Sequence, residues 1–516
     1  MSPLTRDLIV RGARQHSERT AVICADRRMT FREVDDLSSR LAHAMLEQGC
    51  EHRSRVALLV NNSIYSVPTD FACVKAGVNR VPLNSRLSVE EHSRMIAETG
   101  CTALFYGPDL ADRARHLAQE FPGLRCVGLE SSFDNTPALY EVAATMPTTL
   151  PDVAIEPDDV ILTLFTSGTT GVLKAAQHTQ RTYAAIARNV LLNLLPVAPD
   201  DVMAHSASLI HASGVFVLPF WLRGATTLVL PGFDPDTFFE QIATHRVTST
   251  ILVPTMVQML LQRTSFDPAL VSSLRYLIYG ASPMPLVTIE QAMTALPGVQ
   301  FLQYYGQTEA PLCLTVLRHE DHHGERLRSC GQPALDVEIR LLDEDGEDVE
   351  PGTPGEIVVR SPAAAVGYFN APDLNEVTFT EGGWVHTRDI GVFDEHGFLY
   401  LKDRLSDMII SGGYNVYPRE VEERLLAHPA VAEAIVVGTP DPIWVEAVTA
   451  VVVLAPGYDE SEQLRTELVT FVAEGLASYK KPRNILFRSS VPKTAVGKLD
   501  RKSLRQELGH QSEPTA

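Results

Sequence analysis

The feature that most constrains this chain's fold is a repeated pairing of amphipathic and apolar stretches, which gives way to a different texture near Glu338. MTFREVDDLSSRLAHAMLEQGC sets apolar residues at helical spacing, stops at Gly49 and leads into RVALLV, which reads as a strand. The alternation recurs in DFACVKAG then VNRVPL, and in FEQIATHRV then TSTILVP and LRYLIYGAS. It predicts mostly parallel sheets covered by helices. By contrast, VEIRLLDEDGEDVEPGTPGEIVVRSP breaks short strands with Asp-Gly and Pro-Gly turns and leads to GFLYLKDR, an antiparallel β region ending before residue 404. Beyond it, YPREVEERLLAHP, AVAEAIVVG, VTAVVVLAP and SEQLRTELVTFVAEGLAS read as helix, strand, strand and helix, an α+β module of about a hundred residues. The expected class is α/β, with a large multi-subdomain domain over residues 1–403 and a small mobile α+β domain over 404–516. The tail GHQSEPTA reads as unstructured.

Composition narrows the function classes. Forty-four basic against sixty-four acidic residues leave a formal net charge of -20, which argues against broad binding to nucleic acid or anionic membrane. The seven cysteines are odd in number, scattered and free of CxxC pairs, so neither a disulfide framework nor a zinc site is expected. The amino terminus lacks a leader's apolar core, and no apolar run approaches the roughly eighteen residues of a spanning helix. These readings predict a cytoplasmic protein with small-molecule partners.

LFTSGTTGVLK, from Leu164 to Lys174, places glycines, hydroxyls and a lysine directly after an apolar strand. Glycines let backbone N–H groups converge on an anion, and the hydroxyls and lysine add donors and charge. The loop lacks the GKS or GKT ending of a Walker sequence, so a P-loop kinase or GTPase is not expected. It resembles the phosphate loop of the adenylate-forming superfamily of acyl-CoA synthetases, luciferases and peptide-synthetase adenylation domains, with Leu173 and Ala175 as departures from the usual proline and glycine. Five further stretches resemble that family in its order: LIYGASPMP, YYGQTEAP, HTRDIGVFDEHGFLYLKDR, SGGYNVYPREVEE and VPKTAVGKLDRK.

The resemblance implies ATP-dependent activation of a carboxylic acid as an acyl-adenylate, with release of pyrophosphate. It implies that Thr166, Ser167, Gly168, Thr169, Thr170, Gly171 and Lys174 hold the ATP phosphates. Gly280, Ala281 and Ser282, with Tyr305 and Gly306, would line the adenine and acyl pocket. Thr308 would bind phosphate, and Glu309 would serve a magnesium ion, a hard cation suited to oxygen ligands. Asp389 and Arg404 would take the ribose. Lys498 would bridge the acyl carboxylate and the α-phosphate, as a long charged donor delivered by domain closure. Its neighbours Lys493, Arg501 and Lys502 read as solvated charges. His211 falls near the acyl pocket and the path of the second substrate, and HEDHH, His319 to His323, reads as a polar loop rather than a metal site.

For the second half-reaction the resembling families use CoA, a carrier-protein thiol or an amine. Two domains without an adjoining carrier segment favour a diffusible acceptor, and Gly412 and Gly413 match the loop that flanks the pantetheine tunnel. Ser406 stands at the hinge, where the family commonly has Asp or Lys. The pocket stretches carry no charge for a second substrate carboxylate, which predicts a largely apolar acid. VFVLPFWLRG, after Gly214, fits a tunnel wall and an ordinary buried element equally. The expected reaction is acyl-CoA synthesis, with amide formation as the alternative. An acyl-AMP-binding regulator without turnover and a luciferase-like oxidation rank lower.

Overall fold

A computed structural model of the chain describes residues 3–134, 136–166, 174–263, 268–282, 284–411, 414–441, 443–494 and 498–510. Two α/β sheets form the bulk of the large domain. In one, the strands Ala103–Tyr106, Arg55–Leu59, Asn79–Pro82 and Val160–Thr166 run parallel, and Lys174–Thr179 follows antiparallel to Val160–Thr166, with the short strand Gly367–Tyr368 at the edge beyond it. In the other, Thr20–Cys24, Thr226–Val229, Val202–His205, Ser249–Leu252, Tyr276–Gly280 and Gln300–Tyr305 are successive parallel neighbours. The texture change near Glu338 is structural: Glu338–Leu342, Gly355–Arg360, Trp384–Phe393 and Leu399–Arg404 pair antiparallel throughout.

Local chemistry explains the elements. The helix Phe31–Glu47 begins with a capping box in which Thr30 Oγ1 accepts from the Glu33 amide and the Glu33 carboxylate accepts from the Thr30 amide. It buries Phe31, Val34, Leu41 and Met45, and Gly49 follows at φ 76°, a conformation glycine adopts without strain. Against this helix packs Ser66–Ala76, whose fully buried Lys75 is bonded to Asp35 Oδ1 at 2.5 Å, Ser38 Oγ at 2.8 Å and Ser39 Oγ at 3.0 Å. This buried charge is satisfied and structural. VFVLPFWLRG becomes the helix Val217–Arg223, with Phe220 and Trp221 in the core and Trp221 Nε1 donating to the Ile9 carbonyl at 2.8 Å.

The small domain holds a sheet in the order Tyr414–Val416, Ile409–Ser411, Val445–Leu454 and Val431–Asp441, with Asn484–Phe487 added parallel to Val445–Leu454. The helices Pro418–Leu426 and Glu462–Gly475 cover one face through Val421, Leu425, Leu468 and Val472. The last helix, Arg501–His510, lays Leu504 and Leu508 on Ile435, Val437 and Val451 of the other face. Residues 511–516 of the tail read as unstructured lie outside the described residues. All seven cysteines are buried and unbonded, and among the described residues no helix is long and apolar enough to cross a membrane.

Candidate active site

The site is built first on sheet ends. Thr166 and Lys174 are direct cross-strand partners, so they form the two stems of the loop read as phosphate-binding. Ser167, Gly168, Thr169, Thr170 and Gly171 lie outside the described residues. Lys174 Nζ stands 5.6 Å from the ring centroid of Tyr368, and the Tyr368 hydroxyl donates to Glu309 Oε1 at 2.5 Å. One tyrosine thereby joins the loop stem to the carboxylate. Tyr368 is set there by the short strand Gly367–Tyr368, which pairs with Ala176 and Gln177. Sequence reasoning missed it, because a tyrosine in an apolar stretch carries no local signal of a polar partner.

Gly280 and Tyr304 are register partners, which brings the GAS and YYG stretches together. A Cβ on Gly280 would lie 2.5 Å from the Tyr304 carbonyl oxygen, and one on Gly306 would lie 2.2 Å from that of Leu312, so backbone occupies the space a side chain needs. Ala281 holds φ 63°, an uncommon conformation outside glycine, and Ser282 follows it at the half-buried strand end. Thr308 is fixed through its carbonyl, which accepts from His178 Nε2 at 2.8 Å. Burial pushes His178 down to about 4, so it stays neutral and donates from that nitrogen.

Asp389 is the hub of the other half. The Tyr305 hydroxyl donates to its Oδ2 at 2.7 Å, Gln307 Nε2 to the same oxygen at 2.6 Å, and Arg404 Nε lies 3.5 Å from its Oδ1. Burial raises the Asp389 carboxyl, and the Arg404 guanidinium opposes the rise. Asp389 and Arg404 are also register partners of adjacent antiparallel strands, so the sheet itself sets their spacing. Gln307, another residue the sequence reading passed over, also donates to the Thr387 carbonyl at 2.8 Å and ties the YGQTE turn to the strand of Asp389.

Lys498 comes from the far end of the chain into this cluster. Burial and the nearby Arg404 charge lower its ammonium to about 8, opposed by Asp389 and Glu309. His211 is its neighbour: burial, then the positive charges of Lys498 and Arg86, hold the imidazole down to about 4. Asn84 Nδ2 donates to His211 Nε2 at 3.1 Å, while Asn84 Oδ1 accepts from the Arg86 amide at 3.0 Å, which makes Nε2 the acceptor of a neutral ring. Lys498, Glu309, Asp389, Arg404 and His211 thus share one site, with contributions from residues 211 to 498 of the chain. Gly412 and Gly413 lie outside the described residues.

Two expectations need correction. Arg501 is not a solvated charge: its side chain is 18% exposed and its Nη2 lies 2.5 Å from Glu422 Oε2, whose side chain is 7% exposed. Lys493 stays exposed, in a surface ion pair 2.7 Å from Glu433. HEDHH, read as a polar loop, instead buries His322, with Nε2 3.0 Å from the Tyr279 hydroxyl and Nδ1 2.7 Å from the Arg318 carbonyl oxygen. Hydrogen bonds to fold partners satisfy both its ring nitrogens, and among the described residues no group of three or more His, Cys, Asp or Glu side chains is placed to hold a metal ion.

Residues 9–369 match the family model described as AMP-binding enzyme, and residues 420–498 match the AMP-binding enzyme C-terminal domain. A medium/long-chain fatty acid–CoA ligase of Mycobacterium tuberculosis is 35% identical over 513 residues, covering 96% of this chain and 89% of that protein. A feruloyl-CoA synthase of an Amycolatopsis species is 35% identical over 502 residues, covering 97% and 98%. Among solved structures, the amide bond synthetase of Marinactinospora thermotolerans superimposes with a TM-score of 0.89 at 29% identity, covering 98% of this chain and 100% of that one. With these two models matched over most of its length, the chain belongs to the AMP-binding enzyme family.

Proposed function

We propose that the protein is an AMP-forming acid–thiol ligase: it activates an apolar carboxylic acid with ATP and transfers the acyl group to CoA. The observation that carries this reading is the meeting of Lys498 with Asp389, Arg404, Glu309 and His211. A carboxylate is a poor acyl donor because oxide is a poor leaving group. Attack of its oxygen on the α-phosphate of ATP forms a P–O bond, expels pyrophosphate and leaves AMP as the group that the thiol later displaces. The barrier lies in bringing two anions together, and a fixed cation at that point is worth about 3 to 4 kcal/mol by analogy with oxyanion-hole donors.

Lys498 takes that position in our reading, between the carboxylate and the α-phosphate. Asp389 and Arg404 hold the ribose, Gly280, Ala281, Ser282, Tyr305 and Gly306 border the adenine and acyl pocket, and Lys174, Thr166 and Thr308 face the phosphates. Glu309 suits magnesium: its Oε1 accepts from Tyr368, its second oxygen is a hard donor, and a single protein carboxylate beside substrate phosphates is how that ion is commonly held. The ion would neutralise phosphate charge there. We take residues 1–403 and 404–516 as the two moving bodies, pivoting near Ser406, with Gly412 and Gly413 serving the thiol step. Seven buried, unbonded cysteines fit work in the reducing cytoplasm.

The relatives that make CoA thioesters support the thiol as acceptor. The likeness to an amide bond synthetase supports a second reading, in which an amine attacks the same adenylate. Pyrophosphate release across aliphatic and aromatic acids, with no acceptor, with CoA and with amines, separates them. Turnover raised by CoA with thioester as product is expected. Turnover indifferent to CoA but raised by amines would replace it with amide synthesis, and no acid-dependent release at all would sink the adenylation reading.

A further inference from the structure

Arg501 lies three residues beyond Lys498, and its surroundings give it work. It is bonded to Glu422 at 2.5 Å and lies 3.7 Å from Asp407, and Glu422 also accepts from the Val436 amide at 2.8 Å. Glu422 belongs to the helix Pro418–Leu426, whose first turn is fastened to the strand Leu399–Arg404 of the large domain. There the Arg419 amide donates to Asp403 Oδ2 at 2.9 Å and Arg419 Nη1 donates to the Leu401 carbonyl at 3.2 Å. Asp403 also lies within electrostatic reach of Arg501 and is the immediate neighbour of Arg404. Polar contacts therefore fasten the strand carrying Arg404 to the lid helix at Arg419, and the same helix, through Glu422, to Arg501, which follows Lys498 by three residues.

Among the described residues, the backbone bonds of Lys498 do not do this. Its carbonyl accepts from the Thr494 amide at 2.7 Å and its amide donates to Thr494 Oγ1 at 3.2 Å, which shapes the turn but does not place it against the large domain. We infer that Asp403 and Arg501 are positioning residues that hold Lys498 in the adenylation site, Asp403 by fastening the lid helix to the strand of Arg404 and Arg501 by tying the Lys498 turn to that helix. The Asp403–Arg419 contact spans the two domains and must open whenever the lid leaves this orientation. The Arg501–Glu422 pair lies within the lid and travels with it. Asp403 is thus specific to the step that uses Lys498, a consequence that rests on the adenylation reading above.

The test measures the two half-reactions of the full chain separately. ATP–pyrophosphate exchange with decanoate or ferulate reads adenylation, and thioester formation from synthetic decanoyl- or feruloyl-adenylate plus CoA reads transfer. Asp403→Ala should lower exchange about 10- to 100-fold, the scale of a displaced reacting group, and leave transfer within about 2-fold. Arg501→Lys keeps the charge but loses the planar fork, and should show the same split at smaller size. In a Lys498→Ala background, Asp403→Ala should add less than about 2-fold, because both changes remove one function. Equal loss of both half-reactions in both variants, unchanged exchange, or effects that multiply in the double variant would overturn the inference. Wild-type exchange is the control: if no acid of the aliphatic and aromatic panel supports it, the adenylation reading falls and this inference with it, whereas exchange without the split overturns the inference alone.

Discussion

The two halves of the site are held in different ways. Asp389 and Arg404 face each other because they are register partners in one antiparallel sheet, and Tyr305 and Gln307 lock the carboxylate from a second sheet end. Lys498 sits on a short turn after the sheet of the smaller domain and comes within electrostatic reach of the same carboxylate from there. A sheet-built clamp suits a ligand that stays bound through both half-reactions. In the proposed reaction, a charge carried on the smaller domain would suit one step and be withdrawn for the next.

Four measurements bear on that contrast. Lys498→Ala should reduce adenylation about 100- to 1,000-fold, the range for losing one charge-stabilising donor, while thioester formation from preformed adenylate persists. Loss of both would mean that Lys498 is not step-specific. Asp389→Ala should raise KM for ATP by about 10-fold or more and impair both half-reactions, since it removes a hydrogen-bonded charge that holds Tyr305, Gln307 and Arg404 together. A defect confined to adenylation would break the distinction drawn here.

Gly306→Ala tests the rigid half by structure rather than charge. Its new Cβ would press on the Leu312 carbonyl, and thermal unfolding should show a loss of about 1–3 kcal/mol. The smallest effect near neutrality is the pH dependence. With its pKa lowered to about 8, Lys498 is mostly charged at pH 7 and loses its proton as pH rises through that value, so kcat/KM for ATP should fall on the alkaline side. Lys498→Arg, slower but permanently charged, should lack that alkaline limb.

The large domain's α/β alternation and the switch to antiparallel strands at Glu338 were legible because helical and strand periodicities are local properties of a sequence. The stretch from Leu164 to Lys174 could be read as a phosphate loop from its residue types, whereas the roles of Glu309, Asp389 and Lys498 came only from the family resemblance. The partners of those residues were not legible. Tyr368 reaches Glu309 across 59 positions, and Tyr305 and Gln307 reach Asp389 across 84 and 82. Arg501 looked like one more charge in a basic tail, yet it pairs with Glu422 across 79 positions.

By itself, then, the sequence determined which chemistry is present and in what order the stretches that carry it occur. Only the tertiary structure decided which oxygen each donor meets, that His211 stays neutral beside Lys498, and that Arg501 is paired rather than solvated. The physical reason is that side-chain types act within a turn or two of backbone. Partnership depends instead on strand register and on how one domain docks against another, and both of these are settled only when the whole chain has packed.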